Sequence, residues 1–186
     1  VLQEGMISLI PNKENDYEMV SIMTCGFNPY ISNSSPFHAG YLSVIEASSK
    51  VIAMGGHPEN IRLSFQEYFE SLQNDPYKWG NASAAVLGAF LAMKELDYPS
   101  IGGKDSMSGT FEELSVPNSI ICFAIQTSEK SYNPSREFKK EGNMIALIKN
   151  EYDHENLLNI EQFKKNKYLL HQAMKDKSIK ACSTIE

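Results

Sequence analysis

The run Ile101-Gly102-Gly103-Lys104-Asp105-Ser106-Met107-Ser108-Gly109-Thr110 constrains this chain more than any other stretch. It comes after Pro99-Ser100-Ile101, which reads as the end of a short strand. Two adjacent glycines let a backbone turn sharply or approach a ligand closely. A cation, a carboxylate and two hydroxyls then fall within residues 104–108. That inventory suits a metal-bound phosphate. Backbone N–H groups and serine hydroxyls donate to phosphoryl oxygens, Lys104 neutralises charge, and Asp105 can hold Mg²⁺. A polar turn between two strands is the plain structural alternative. The run is not a Walker A loop, because Tyr98 stands where its first glycine belongs and Asp105 comes directly after the lysine. The G-x-G-x-x-G dinucleotide spacing is absent as well.

The chain has 186 residues, 42% of them hydrophobic, so a packed core is expected and global disorder is not. Its apolar runs are too short to span a bilayer. The first ten residues carry Glu4 and no basic residue, unlike a secretory leader. A start at Val1 is expected of a fragment or a processed chain. Residues 1–128 hold 6 Lys/Arg against 14 Asp/Glu, while residues 129–186 hold 11 against 9. This step predicts a boundary near Ser128. The acidic first part argues against nucleic acid as a partner. Cys25, Cys122 and Cys182 form no C-x-x-C pair and read as free thiols of a cytoplasmic protein. The four histidines make no zinc spacing.

Strands and helices alternate in an α/β pattern. Residues 1–10 read as a frayed strand, residues 12–16 as a polar turn and residues 19–23 as a strand. A glycine-proline loop runs from Cys25 through Ser34. Ser35-Pro36 is a capped helix start, with an apolar stripe through Phe37, Tyr41, Val44, Ile45 and Ile52 and a stop at Gly55-Gly56. Glu46 lies off the centre of that stripe. It can pair with Lys50 one turn on, or serve as a Mg²⁺ carboxylate. Residues 61–65 alternate as a strand, with Gln66 and Glu67 at its ligand-facing end. Residues 68–80 read as a loop, and Asn81 caps a helix to about Leu96 that is apolar nearly all round, hence buried. Residues 120–125 form a core strand, and residues 127–140 a polar linker. Residues 144–148 read as a strand and residues 160–174 as an amphipathic helix with Phe163, Tyr168, Leu169, Leu170 and Ala173 on its apolar side. A strand starts at residues 179–182.

The order Gly26-Phe27-Asn28-Pro29-Tyr30, Ser35-Pro36-Phe37-His38, residues 101–111 and Val116-Pro117 resembles phosphoribosylformylglycinamidine synthase (formylglycinamide ribonucleotide amidotransferase). Val44-Ile45-Glu46-Ala47 and Phe65-Gln66-Glu67-Tyr68-Phe69 are similar to the large single-chain bacterial form. The resemblance covers nearly the whole chain and rests on the joint order of its motifs. It implies an α/β, two-layer AIR-synthetase-like fold: an N-terminal-type unit over residues 1–128, a linker at 129–140, and the beginning of a C-terminal-type unit at 141–186. These correspond to the second of two such halves. The His-rich loop of the first half and the glutaminase Cys and His motifs do not occur in this chain.

The family reaction converts formylglycinamide ribonucleotide, ATP and glutamine to formylglycinamidine ribonucleotide, ADP, phosphate and glutamate. The resemblance implies that Gly102, Gly103, Lys104, Asp105 and Ser108 contact nucleotide phosphate, and that Ser106, Asn28 and His38 contact substrate. Glu46 and Asp105 would hold Mg²⁺ beside ATP or ADP. It assigns no catalytic residue to this chain. Two departures stand out: Lys50 where large forms place an Asn metal ligand, and Lys104 where some small forms do. An ammonium cannot ligate Mg²⁺. The implied partners are small-molecule substrates and the rest of the same polypeptide, with no nucleic acid and no membrane. Self-association through exposed strand edges is also expected. A non-catalytic nucleotide-binding or scaffold module is one competing reading. Another AIR-synthetase-fold enzyme, such as a selenophosphate synthetase relative, is a second.

Overall fold

The computed structural model describes residues 4–13, 18–130 and 133–185. The turn expected at residues 12–16 therefore lies largely outside the described residues, as do residues 131 and 132 of the expected linker. The elements run β1 (Gly5–Leu9), β2 (Met19–Gly26), α1 (Pro29–Ser34), α2 (Pro36–Ala53), β3 (Arg62–Tyr68), α3 (Pro76–Leu96), β4 (Ser100–Ser106), β5 (Thr110–Phe111), β6 (Leu114–Ser115), β7 (Ser119–Glu129) and α4 (Ile160–Lys175). Five strands form one sheet in the order β1-β2-β7-β3-β4, and β5 and β6 form a small hairpin. β1 and β2 pair antiparallel, whereas β3 and β4 pair parallel. The fold is mixed α/β, as the alternating pattern predicts. The chain groups into two compact units, one of Val1–Thr24, Ser49–Ile61 and Ile125–Glu186, the other of Cys25–Ser48 and Arg62–Ala124.

In the second unit, α2 begins as the Ser35-Pro36 signature predicts. The Ser35 hydroxyl accepts from the His38 N–H at 3.4 Å, and Pro36 occupies the first helical position without wasting a donor. Helices α2 and α3 meet backbone to backbone. A Cβ on Gly40 would collide with the Ala85 carbonyl, and one on Gly88 would collide with the carbonyl of Phe37. The contact is lined by other small residues, Ala85 and Ala89, both buried. Tyr41, fully buried beside it, donates its hydroxyl to Glu95 at 3.0 Å.

Helix α3 starts five residues before the expected Asn81. Asp75 is its cap, accepting from the N–H groups of Tyr77 and Lys78, and Pro76 comes next at the first helical position. Asp-Pro is as good a start signal as an Asn, and Trp79-Gly80 does not interrupt the helix because its cap is already satisfied. Nor is α3 buried all round. Ala82, Ala85, Gly88, Ala89, Ala92 and Leu96 face inward, while Leu87 and Phe90 are 58% and 57% exposed. The inner face is small because the backbones approach so closely, which leaves the large apolar residues outside. Residues 29–34, expected as loop, form the short helix α1.

In the first unit, β7 continues to Glu129, past the point where the polar linker was expected to begin. The strand expected at 144–148 is absent. These residues are exposed, Met144 at 98%, and adopt no ladder. A β-rich run becomes a strand only when another strand offers it hydrogen bonds. Residues 179–182 form only a single bridge, Ser135 to Ala181. Helix α4 spans nearly the expected residues, but its buried face is Phe163, Lys167, His171 and Met174 rather than Tyr168, Leu169 and Leu170.

Lys167 and His171 are buried because the 56–59 segment presents backbone carbonyls to them. The Lys167 ammonium donates to the Pro58 carbonyl at 3.2 Å, and His171 Nδ1 lies 3.2 Å from the Gly56 carbonyl. The His57 and His171 rings meet edge to face, and the Tyr168 hydroxyl donates to Glu59. Gln126 holds the same segment from β7. Its amide accepts from the His57 N–H and donates to the carbonyls of His57 and Glu59.

This packing makes two outcomes measurable. Gly88→Ala should lower stability by about 1–3 kcal/mol, because backbone carbonyls cannot move aside as side chains do. A denaturant melt of that variant beside a Gly80→Ala control, whose Cβ meets open space, measures it. Burial, helped by Lys164, lowers the Lys167 amine to about 8 from 10.5. Between those values the unfolded chain holds the proton and the folded chain releases it, so stability rises with pH across that window. Lys167→Met should flatten that rise, and the difference between the two proteins should change by on the order of 3 kcal/mol from pH 7.5 to 10.5.

Candidate functional site

The residues singled out at 102–106 are not a loop but most of strand β4. Glycine-rich polar sequence has little strand preference of its own. Here it is held by β3, in parallel register: Phe65 with Gly103, Gln66 with Lys104, Glu67 with Asp105 and Tyr68 with Ser106. β4 ends the sheet order, and every residue from Ser100 to Asp105 is exposed. A Cβ on Gly102 would meet nothing within 4 Å, so the backbone there is open to an approaching group.

Side chains alternate across the strand pair. Glu67 and Asp105 share one face, and Gln66 and Lys104 share the other. The Gln66 amide donates to the Lys104 carbonyl at 3.1 Å. The Lys104 ammonium lies 3.4 Å from the Asp105 carbonyl, at the limit of a hydrogen bond. Partial burial, then the Asp105 charge, raises the Glu67 carboxyl above the ordinary carboxylate range. Glu67 and Asp105 thus form an acidic pair facing Gln66 and Lys104 through the edge of the sheet.

β3 and β4 are parallel, so their carboxyl ends emerge side by side, where α/β sheets place ligands. Backbone hydrogen bonds hold the segment beyond the end of β4. The Phe69 N–H donates to Ser106, Gly109 to Phe69 and Val116 to Gly109, at 2.8–2.9 Å. The Thr110 hydroxyl accepts from the Ser71 N–H and meets Ser115 at 3.0 Å. Only Met107 to Gly109 keeps the irregular form expected of the whole run, with Ser108 exposed.

The other predicted site residues lie at the start of α1 and along α2. Asn28 caps α1, its carbonyl oxygen accepting from Tyr30 at 3.0 Å and Ile31 at 3.2 Å. His38, in the first turn of α2, has Nδ1 2.7 Å from the Ser35 hydroxyl. Glu46 accepts from the Phe27 N–H at 3.0 Å, and so fixes the turn from β2 into α1. That bond is neither of the two roles the sequence suggests for Glu46. It depends on Gly26, where a Cβ would strike the Ser43 carbonyl of α2.

The structure therefore makes two groupings: residues 102–106 with Gln66 and Glu67, and Glu46 with the turn at Phe27 and Asn28. Glu46 and Asp105, expected as Mg²⁺ ligands, belong to different groupings. Among the described residues no cluster of three or more His, Cys, Asp or Glu side chains could hold a metal. Cys122 is buried on β7, and burial first, then Cys25 and Glu46, push its thiol far above the ordinary range. Cys25 is exposed.

No family model matches the chain, and no curated protein sequence does. Solved structures do. A phosphoribosylformylglycinamidine synthase II from Thermotoga maritima is similar over 90% of this chain, with a TM-score of 0.64 and 11% identity. PurL of T. maritima complexed with ATP is similar over 93%, with a TM-score of 0.66 and 10% identity. PurL of T. maritima complexed with FGAR is similar over 75%, with a TM-score of 0.53 and 16% identity. The chain has an AIR-synthetase-like fold. It spans 26%, 27% and 20% of those three solved chains.

Asp105→Asn should bring the Glu67 carboxyl back toward the ordinary range. Side-chain carboxyl NMR against pH measures this. The raised Glu67 group makes the folded chain less stable as pH rises through its titration, so the variant should lose less stability above about pH 4.5.

Proposed function

We propose that this chain is part of an ATP-dependent carbon–nitrogen ligase of purine biosynthesis. The reaction is conversion of formylglycinamide ribonucleotide to formylglycinamidine ribonucleotide with glutamine as nitrogen donor. The observation that carries the reading is the exposed β4 edge within an AIR-synthetase-like fold, where Gly102 to Asp105 lie open beside Gln66 and Glu67. In that reaction ATP phosphorylates the substrate amide oxygen, and ammonia then displaces the phosphate. A triphosphate and a substrate phosphate must be held close together, which calls for fixed donors and cations. Gly102 and Gly103 admit phosphate to the backbone, Lys104 offers the cation, and Ser106 and Ser108 offer hydroxyls. Asn28 and His38 stand as substrate contacts at the head of α1 and α2.

The donor chemistry does not fit a Mg²⁺ held by this chain alone. Glu46 already anchors the Phe27 N–H, and Lys50 lies one turn further along α2. No step is assigned to a metal here. The division into an N-terminal-type unit over 1–128, a linker at 129–140 and the beginning of a C-terminal-type unit at 141–186 is part of the same proposal. So are a cytoplasmic setting and partners within a longer polypeptide. No helix among the described residues is long and apolar enough to cross a membrane.

A second reading, a scaffold module without turnover, is favoured by two observations. Asn28 acts as a helix cap and Glu46 as a backbone anchor, which are structural tasks. Calorimetric titration with Mg·ADP distinguishes the two readings. The nucleotide reading expects saturable binding, weakened about tenfold by Lys104→Ala, which removes one charge-assisted phosphate contact. Absence of binding by a chain folded by circular dichroism would favour the scaffold.

A further inference from the structure

Helix α3 has a second apolar face, turned away from its own unit. Opposite the inward residues Ala82, Ala85, Gly88, Ala89, Ala92 and Leu96, the side chains of Trp79, Ser83, Val86, Leu87, Phe90 and Lys94 are all exposed. They follow one another at spacings of three and four residues, so they form one stripe along the helix. Trp79 is 49% exposed, Val86 45%, Leu87 58% and Phe90 57%. Single apolar residues scattered on a surface need no explanation, but four large ones in a continuous stripe mark a contact face.

The stripe is fixed in advance. Asp75 caps the helix, and the Trp79 indole N–H donates to the Gln73 carbonyl at 3.0 Å. The polar atom of the indole is thus satisfied within the chain, while half of the ring stays open. A rigid aromatic group of this kind is the usual anchor of a protein interface.

The stripe complements a second copy of itself run in the opposite direction. With Val86 of one copy opposite Leu87 of the other, Ser83 falls opposite Phe90 and Trp79 opposite Lys94. A small side chain then meets a large ring, which lets two helices interdigitate. The lysine ammonium meets an indole, a favourable cation–π pair. Lys94 is the one charged residue of the stripe. Antiparallel pairing keeps the two Lys94 groups about 22 Å apart along the axis, whereas parallel pairing would bring them together. It also sets the amino end of each helix beside the carboxyl end of the other, which the helix dipoles favour. The open surface of these six residues amounts to roughly 600 Å² per copy, against about 800 Å² per partner in a standard stable interface. That area suits a reversible dimer, not an obligate one.

We propose that this chain dimerises through the outer face of α3, with the two helices antiparallel about a twofold axis. The contact uses no strand edge and does not depend on the nucleotide reading of β4.

The test is sedimentation equilibrium of the whole chain over micromolar concentrations, with tryptophan emission recorded on the same samples. Trp79 is the only tryptophan, so it reports on this face alone. The expected result is an average mass that rises from one chain toward two, with a blue shift of Trp79 emission at the same midpoint. Val86→Glu and Leu87→Lys should each weaken association at least about tenfold. Both positions face solvent, and circular dichroism checks that each variant keeps its fold. An equimolar mixture of the two variants should associate again, because the new carboxylate and the new ammonium then lie opposite one another. Met144→Glu, at a 98% exposed apolar position in the first unit, should change nothing. The proposal is overturned if the chain is a monomer throughout, which would leave this face to a partner of other sequence. It is also overturned if the mass doubles with no change in Trp79 emission, if folded Val86→Glu associates as the native chain does, or if the mixed variants stay apart.

Discussion

The close crossing of α2 and α3 is the constraint on which the second unit depends. Gly40 and Gly88 remove the side chains that would otherwise hold the two helices apart, and each then receives a carbonyl from the other helix. Close-packed interiors transmit such a fit to everything resting on it. With α3 this near, the face of α2 carrying Tyr41, Val44 and Ser48 is fully enclosed. The end of β2 sits against α2 at Gly26, with Glu46 beside it to take the Phe27 N–H. At its far end α3 turns through Asp97, at φ +58°, into β4. The exposed edge strand thus follows a helix whose seat is set at two glycines, Gly40 against Ala85 and Gly88 against Phe37.

The first unit relies on a different kind of contact. Its 56–59 segment has no regular ladder, and its carbonyls must be satisfied by side chains. Lys167, His171 and Gln126 do this from α4 and β7. A charged lysine on a buried helix face is less stabilising than an apolar residue of similar volume. It does specify which carbonyl α4 docks on. Elsewhere in the unit, Glu4 plays the converse part, with Arg136, Ser183 and Thr184 all directed at one buried carboxylate.

On the proposed reading, the β4 edge would receive an anion chiefly through its backbone. At β4 the backbone is bare and a single lysine lies next to an acidic pair, so fixed dipoles and the open Gly102 position carry the site. The β4 edge lies at the surface of a unit whose interior is settled by packing, and a Cβ at its Gly102 would meet nothing. Asn28 and Glu46 differ in this respect, since each already completes the hydrogen bonding of the backbone at α1.

Local sequence by itself determined the elements whose signals are chemical or periodic. Ser35-Pro36 starts α2 because a hydroxyl and a proline satisfy its first turn, and the apolar, β-rich run at residues 120–125 makes a strand core. The α/β order results from these. Other features were decided only by tertiary structure. Residues 102–106 became a strand because β3 supplies its hydrogen bonds, while the more strand-like residues 144–148 lack such a partner and stayed irregular. The inner face of α3 is small and its outer face large because of where α2 runs. Lys167 and His171 are buried because carbonyls await them, which no periodicity can register. The Asn133 side chain is oriented by the Met54 carbonyl, which takes its amide nitrogen from 79 positions earlier in the chain. Pairing, close approach and the satisfaction of distant polar atoms depend on what lies opposite a residue, and the residue alone does not encode that.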